Sequence, residues 1–247
     1  METLLVGKNA IVTGGGAGIG KAIVLELAKQ GANVAIADIS LESATKTAEE
    51  VRELGVKANP YVCDISKIDT HKDFVEQVEK DFGNIDILVN NAGVSFAKTV
   101  MEVTPDMWDF VQGINSRGTF FLTQVIFGKM MEQKKGRIIN IASISGDRPA
   151  DRSDAAYCVS KAGIIMMSKV FAKAARDTEI TVNSVSPGVI ETELTRKLGS
   201  TVDSDKVPMG RMGQPEEIAG AVAFLASDMA SYVSGQNIRV NGGQFML

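Results

Sequence analysis

Tyr157 and Lys161 stand four residues apart at the start of an apolar-periodic run, in a chain whose first strand-like segment ends in the glycine-rich turn Thr13-Gly-Gly-Gly-Ala-Gly-Ile-Gly20. On a helix, positions i and i+4 lie one above the other, so the Lys161 ammonium can approach the Tyr157 phenol. A free phenol titrates near pH 10, and a fixed positive charge beside it favours phenolate and lowers that value. The phenol then becomes a usable acid or base at neutral pH. The pair alone also describes an ordinary helix face, so the weight rests on what surrounds it.

The glycines sharpen the reading. Lys8 to Thr13 reads as a short buried strand and Lys21 to Gln30 carries apolar residues at helical spacing, which places the glycines at a strand-to-helix corner. There Gly14 permits a tight turn, Gly18 lets the backbone approach a pyrophosphate, and Gly20 lets the helix pack closely on the strand. Phosphates would sit over the helix N-terminus, with Ile19 between the last two glycines. At the end of the next apolar run, Asn33 to Ala37, comes Asp38, whose carboxylate can accept hydrogen bonds from a ribose diol and repels a 2′-phosphate. No Arg or Lys lies between Gly14 and Gly20, and Ile39 and Ser40 are uncharged, so the cofactor read here is NAD rather than NADP. The competing role for Asp38 is a helix N-cap, for which Ser40 is also a candidate.

These elements must be held by a larger frame. Strands near 8–13, 33–37, 57–62, 86–90, 137–142, 180–185 and 237–240 alternate with helical segments, the pattern of a parallel sheet covered on both faces. No linker or repeat interrupts it, so residues 1–247 read as one α/β domain.

Taken in order, the motifs resemble the short-chain dehydrogenase/reductase family over nearly the whole chain. The glycine turn Thr13 to Gly20 matches first. Asp64, in Cys63-Asp64-Ile65, resembles the acid that contacts adenine, and Asn90-Asn91-Ala92-Gly93 matches the family's N-N-A-G stretch. Asn115 resembles the active-site helix asparagine, Ser143 the catalytic serine, and Tyr157 and Lys161 the catalytic pair. Pro187-Gly188, with Ile190 and Thr192 beyond, resembles the segment that meets the nicotinamide carboxamide. The resemblance implies a doubly wound, seven-stranded Rossmann fold. It also implies an oxidoreductase in which Tyr157 exchanges a proton with an alcohol or carbonyl oxygen while hydride moves to or from nicotinamide. Ser143 would hold that oxygen, Lys161 would tune the phenol and bind the nicotinamide ribose, and Asn115 would bind a water of the proton relay.

Ser145 competes with Ser143, since on an extended strand both point to the same side. The family pattern S-x-x-G favours Ser143 with Gly146, and a capped turn is the structural alternative for either serine. The substrate lid is placed at residues 192–211, short and polar after Leu198. The neighbouring loop, Gly146 to Asp154, holds two arginines and three aspartates. Together they suggest a small polar substrate, a polyol, sugar or keto acid, although charges are more often simply solvated.

The best-known close relatives implied by the resemblance are 3-oxoacyl-[acyl-carrier-protein] reductases, whose ending Val240 to Leu247 resembles. Those enzymes usually use NADP, contrary to Asp38, and dock an acidic carrier on basic residues. Lys134 and Lys135 could supply one contact, but Arg176-Asp177-Thr178-Glu179 has Thr178 where a basic residue is expected. A third class is a non-catalytic dinucleotide sensor, which typically lacks a member of the catalytic set.

Composition narrows the remaining classes. With 26 basic and 30 acidic residues, a net charge of -4 and no strong basic run, nucleic-acid binding is not suggested. The N-terminus lacks a signal-peptide pattern, and no stretch reads as a membrane span, so the cytoplasm is the expectation. Cys63 and Cys158 form neither a disulfide framework nor a metal-like pattern. His71, the single histidine, lies in a charged stretch and reads as solvated; its solitude excludes a Ser-His-Asp system. Pro105 to Gln133 and Ala155 to Arg176 are apolar on more than one face and need a second partner. In the family such helices form a dimer interface and the C-terminal strand region a second one, so a homotetramer is expected, with burial inside one subunit as the alternative.

Overall fold

The computed structural model describes residues 3–96, 98–149, 155–193, 195 and 207–246. Seven strands, β1 (Asn9–Thr13), β2 (Asn33–Asp38), β3 (Ala58–Val62), β4 (Ile87–Asn90), β5 (Lys135–Ile141), β6 (Glu179–Pro187) and β7 (Asn237–Val240), form one sheet in the order β3-β2-β1-β4-β5-β6-β7. Every pairing is parallel. The helices are α1 (Gly18–Lys29), α2 (Leu41–Arg52), α3 (His71–Phe82), α4 (Pro105–Gln112), α5 (Thr119–Gln133), α6 (Ala155–Ala174) and α7 (Pro215–Ala226).

Side-chain alternation explains the two helical layers. Successive strand residues point to opposite faces, and in the central strands β1, β2 and β4 both faces are buried, so those strands are apolar almost throughout. Ala10 and Val12 join one core with Ile23 and Leu27 of α1 and Ile218 and Val222 of α7. Ile11, between them, joins the other with Val75 of α3, Leu122 and Ile126 of α5 and Ile164 of α6. This is the Rossmann arrangement expected from the sequence. The β6 strand runs on to Pro187, beyond the expected end, because Ser184 to Pro187 pair with Asn237 to Val240 of β7.

Two expectations are corrected. The apolar stretch Pro105 to Gln133 is not a uniform helix: α4 and α5 are joined by a π-helical turn, Gly113–Gly118. That segment carries Asn115, and wide turns of this kind cluster at functional sites. Further on, α6 is 20 residues long with a mean hydropathy of 1.3, long and apolar enough to cross a bilayer. It lies instead against the sheet and α5, with Ile164, Ile165, Met167 and Phe171 buried and Phe171 against the Phe120 and Phe127 rings.

In a doubly wound sheet ligands bind outside the carboxyl ends of the strands, where the strand order reverses. That reversal falls between β1 and β4. Thr13-Gly14, Asp38, Asp64, Asn90 to Gly93, Ser143 and Pro187 all lie at or just past the carboxyl end of their strands. The topology therefore gathers residues spread from 13 to 187 along a single edge.

Candidate active site

The glycine turn is built as its sequence requires. Gly14 and Gly18 have positive φ, 64° and 53°, a conformation that side chains strongly disfavour. Gly20 packs its Cα onto the Gly14 carbonyl and leaves no room there for a Cβ. Helix α1 then begins at Gly18, preceded by Ala17, with no side-chain cap and no acid in its first turn. Uncapped N–H groups and the positive end of the helix dipole make an anion site. The cradle thus fits the diphosphate of a dinucleotide.

Asn91 braces this turn from behind. Its Nδ2 donates to the carbonyls of Thr13 and Gly14 at 3.0 and 3.1 Å, while the Thr13 hydroxyl oxygen accepts from the N–H groups of Asn91 and Ala92. The geometry therefore assigns the Asn91 side chain to the turn itself. Ala92 is half-buried beside it and Gly93 is exposed. Asn90 instead turns inward, donating to Thr123 of α5 and to Asn140, whose own amide reaches Ser168 of α6. This buried chain, which sequence reasoning missed, ties both helices to the sheet. Four separate polar residues, Asn90 and Asn140 near the ends of β4 and β5 and Thr123 and Ser168 within α5 and α6, gave no local pattern that could have revealed it.

The Asp38 carboxylate is anchored across the turn. One oxygen accepts from the Gly16 N–H and the other from the Ser40 N–H, each at 2.9 Å. Ser40 itself caps α2 through Ser43, so Asp38 is not the cap. Each Asp38 oxygen keeps a second lone pair for a ribose hydroxyl. Beside it, just past β3, Cys63 donates its N–H to the Asp38 carbonyl, and the Asp64 carboxylate accepts from the Ser66 N–H and hydroxyl. Ile65 is buried there. Burial pushes the Cys63 thiol up to about 12, which makes it an unreactive packing residue.

At the other end lie the acid–base residues. Lys161 is 5% exposed, its Nζ lies 5.6 Å from the Tyr157 ring centroid and donates to the Ile141 carbonyl at 2.7 Å. Burial lowers its pKa to about 8, so the ammonium remains the majority form at neutral pH. Tyr157 is half-buried one turn before it on α6. A Cβ on Gly93 would stand 3.3 Å from the Asn115 side-chain oxygen and 3.5 Å from Lys161 Nζ. Bare backbone at Gly93 therefore borders both groups.

Asn115 acts as a strut. Its Oδ1 accepts from the Val94 N–H at 2.8 Å, and its Nδ2 donates to the Val94 carbonyl and to Ser160 Oγ. Ser160 in turn donates to the Tyr157 carbonyl at 2.7 Å. The side chain of Asn115 thus joins the loop after β4 to the helix that carries Tyr157. Gln112 adds a second tie, donating to the Ala156 carbonyl at 2.7 Å. Neither Ser160 nor Gln112 was marked by the sequence, because each matters through a partner in a distant element: the Asn115 side chain for Ser160 and the Ala156 carbonyl for Gln112.

Ser143 leaves β5 in extended conformation, and its hydroxyl oxygen accepts from the Ser145 N–H at 3.1 Å. The capped turn and the catalytic role are compatible, since an oxygen that accepts this bond retains its proton to donate. Ser145 is drawn into the 3₁₀ turn Ile144–Gly146, so the two serines do not continue one extended strand. Gly146 packs against the backbone of Lys161 and Ala162, which sets the serine turn directly on α6.

Pro187 ends β6, and the Gly188 N–H donates to the Val240 carbonyl at 3.0 Å. Ile190 is buried and bridges to Gly213. The Thr192 side chain would meet a Cβ on Gly18 at 3.7 Å, so this segment arches back over the glycine turn. The lid expected at 192–211 falls mostly outside the described residues, as do 150–154 of the charged loop. In the described part, Asp147 accepts from Arg239 Nε at 2.8 Å and from Asn237. Asp147 is thus an internal ion pair that holds the serine turn to β7, neither solvated nor turned to a substrate.

His71 departs furthest from expectation. It is 1% exposed rather than solvated, and Nε2 lies 2.9 Å from the Ile65 carbonyl. The charged stretch around it is one face of α3, and His71 lies on the opposite, buried face with Phe74, Val75 and Val78.

The family model described as enoyl-(acyl carrier protein) reductase matches residues 14–244. The chain is 40% identical over 244 residues to the 3-oxoacyl-[acyl-carrier-protein] reductase FabG of Thermotoga maritima, covering 97% of this chain and 98% of that one. A crystal structure of a short-chain type dehydrogenase/reductase from Mycobacterium marinum superposes with a TM-score of 0.95 at 35% identity, covering 100% of this chain and 98% of that one. NAD+-bound xylitol dehydrogenase does so with a TM-score of 0.90 at 36% identity, over 97% and 99% of the two chains. The chain belongs to the short-chain dehydrogenase/reductase family and is an NAD(P)-dependent oxidoreductase acting on CH–OH groups.

Proposed function

We propose that this enzyme interconverts a secondary alcohol and a ketone of a small polar substrate, a polyol, sugar or keto acid, with NAD preferred over NADP. The observation that carries the reaction is the buried Lys161 ammonium against the Tyr157 ring, beside Asn115 and Gly93. When bound, the dinucleotide supplies or accepts hydride. Gly14, Gly18, Ile19 and Gly20 would hold its diphosphate, Asp38 a ribose, Asp64 and Ile65 the adenine. Ala92, Gly93, Lys161, Pro187, Gly188, Ile190 and Thr192 would line the nicotinamide half. Tyr157 delivers or removes the proton at the substrate oxygen, Ser143 donates a hydrogen bond to the same oxygen, and Lys161 holds positive charge near the phenol as it ionises.

The NAD preference rests on Asp38. Its carboxylate is fixed by two backbone N–H groups, and a Cβ at Gly16 would already stand 2.9 Å from it. A 2′-phosphate brought to this corner would face that charge at short range. Asp38→Ala is expected to raise NADP use relative to NAD; an unchanged cofactor ratio would refute the explanation.

A second reading, 3-oxoacyl-[acyl-carrier-protein] reduction, draws on the 40% identity to the Thermotoga maritima enzyme. Against it, Lys135 faces Glu179 at 3.8 Å, which offsets the basic charge a carrier would need. Turnover measured with a panel of polyols, sugar acids and a 3-oxoacyl thioester, each with NAD and NADP, separates the readings. Activity confined to the thioester would overturn the first, and no turnover with saturating cofactor binding would favour a sensor.

The same reading includes assembly from several copies. Leu122, Ile126 and Met130 of α5 and Ile164, Ile165, Met167 and Phe171 of α6 are buried within one subunit, but Val159, Met166 and Val170 of α6 remain more than half exposed. Their spacing puts them on one helix face. A homotetramer using that face is expected in light scattering, and a monomer would remove the argument.

A further inference from the structure

The single histidine is buried at the corner that follows β3. Its partner is a carbonyl, which can only accept, so Nε2 carries the proton and donates to Ile65. Nδ1 is then a bare, buried acceptor, and it has no hydrogen-bond partner among the described residues. Burial also holds the imidazole below its ordinary pKa, consistent with a neutral ring. On its other side the Ile65 carbonyl packs on Gly118, where a Cβ has no room. Gly118 closes the π-helical turn that carries Asn115. The corner is therefore fixed twice: Ser66 holds the Asp64 carboxylate, and His71 with Gly118 holds the Ile65 backbone.

We propose that His71 is a positioning residue for cofactor binding, holding the Asp64–Ile65 corner in place through the Ile65 carbonyl so that the corner can receive the adenine. The proposal rests on the reading of that corner as the adenine site. A neutral buried donor suits this task, because it orients a backbone carbonyl without placing a charge beside the Asp64 carboxylate. One hydrogen bond of this kind contributes about 1 kcal/mol, which corresponds to roughly a 3- to 10-fold change in affinity.

His71→Phe keeps a planar ring, somewhat larger, and removes the donor; His71→Gln keeps a donor at the position of Nε2. Dissociation constants for NAD, ADP-ribose and nicotinamide mononucleotide, measured by calorimetry on the full-length protein, read the effect. His71→Phe is expected to weaken NAD and ADP-ribose about 3- to 10-fold, to leave the mononucleotide unchanged, and to be largely rescued in His71→Gln. Gly118→Ala, which presses on the same carbonyl from the opposite side, is expected to show the same selectivity and serves if His71→Phe does not fold. Unchanged affinities, or equal weakening of all three ligands, would overturn the proposal. Failure of the wild-type protein to bind NAD or NADP would instead sink the functional reading beneath it.

Discussion

Replacing Lys161 by Met should abolish turnover and yet change stability in a direction set by pH. The ammonium is 5% exposed and its pKa falls from 10.5 to about 8 through burial. A gap of roughly 2.5 pH units corresponds to about 3 kcal/mol of differential stabilisation. Below pH 8 the lysine is charged in both folded and unfolded chains, and the folded state bears the full cost of desolvation. Between pH 8 and 10.5 the unfolded chain still holds a proton that the native state has released, so wild-type stability rises with pH across that window. Met, of similar length and without charge, removes the cost at every pH; it also removes the bond from Nζ to the Ile141 carbonyl, which offsets part of the gain. The variant's stability relative to wild type is therefore expected to be most favourable near pH 7 and to fall by up to about 3 kcal/mol on approach to pH 10.5. Urea unfolding of both proteins at equal concentration, followed by the fluorescence of Trp108, measures the difference at each pH. Parallel stability profiles across that range would show that the ammonium is not desolvated as the geometry implies, and would refute the reasoning.

Other outcomes follow from the same site. Tyr157→Phe is expected to lower kcat by about 10²- to 10⁴-fold while dinucleotide affinity is retained, as read by steady-state kinetics beside equilibrium binding; full activity would remove the phenol from the reaction. Ser143→Ala should lose most turnover and Ser145→Ala little, and the reverse pattern would move the substrate hydrogen bond to Ser145. Gly20→Ala places a methyl group against the Gly14 carbonyl; overpacking there costs about 1–3 kcal/mol, and NAD binding should weaken in titration calorimetry even where the fold survives.

Much of this protein is local and was legible in its residues. Glycines at the β1–α1 corner, an acid ending β2, and a tyrosine and lysine on one helix face each depend on near neighbours, and the apolar runs repeat at the period of their elements. Sequence order and alternation also implied a parallel sheet, since a parallel pair needs a crossover and covers both faces. What the sequence left open concerns groups that meet only across the fold. The stretch around Asn115 looks helical throughout, and the π-helical turn arises where its amide reaches Val94 and Ser160. The burial of His71 was invisible because its immediate neighbours are charged, while its own face of α3 packs inward. Asp147, in a loop of alternating charge, was assigned by Arg239 on the last strand. In each case one residue's environment is set by a group outside its own element, from six positions away for His71 and Ile65 to 92 for Asp147 and Arg239, and the energy of burying a polar group depends on finding that partner. Sequence by itself determined which chemistry the chain could carry; the tertiary structure decided which polar groups are buried, which are paired, and how the strand ends bring them to one edge.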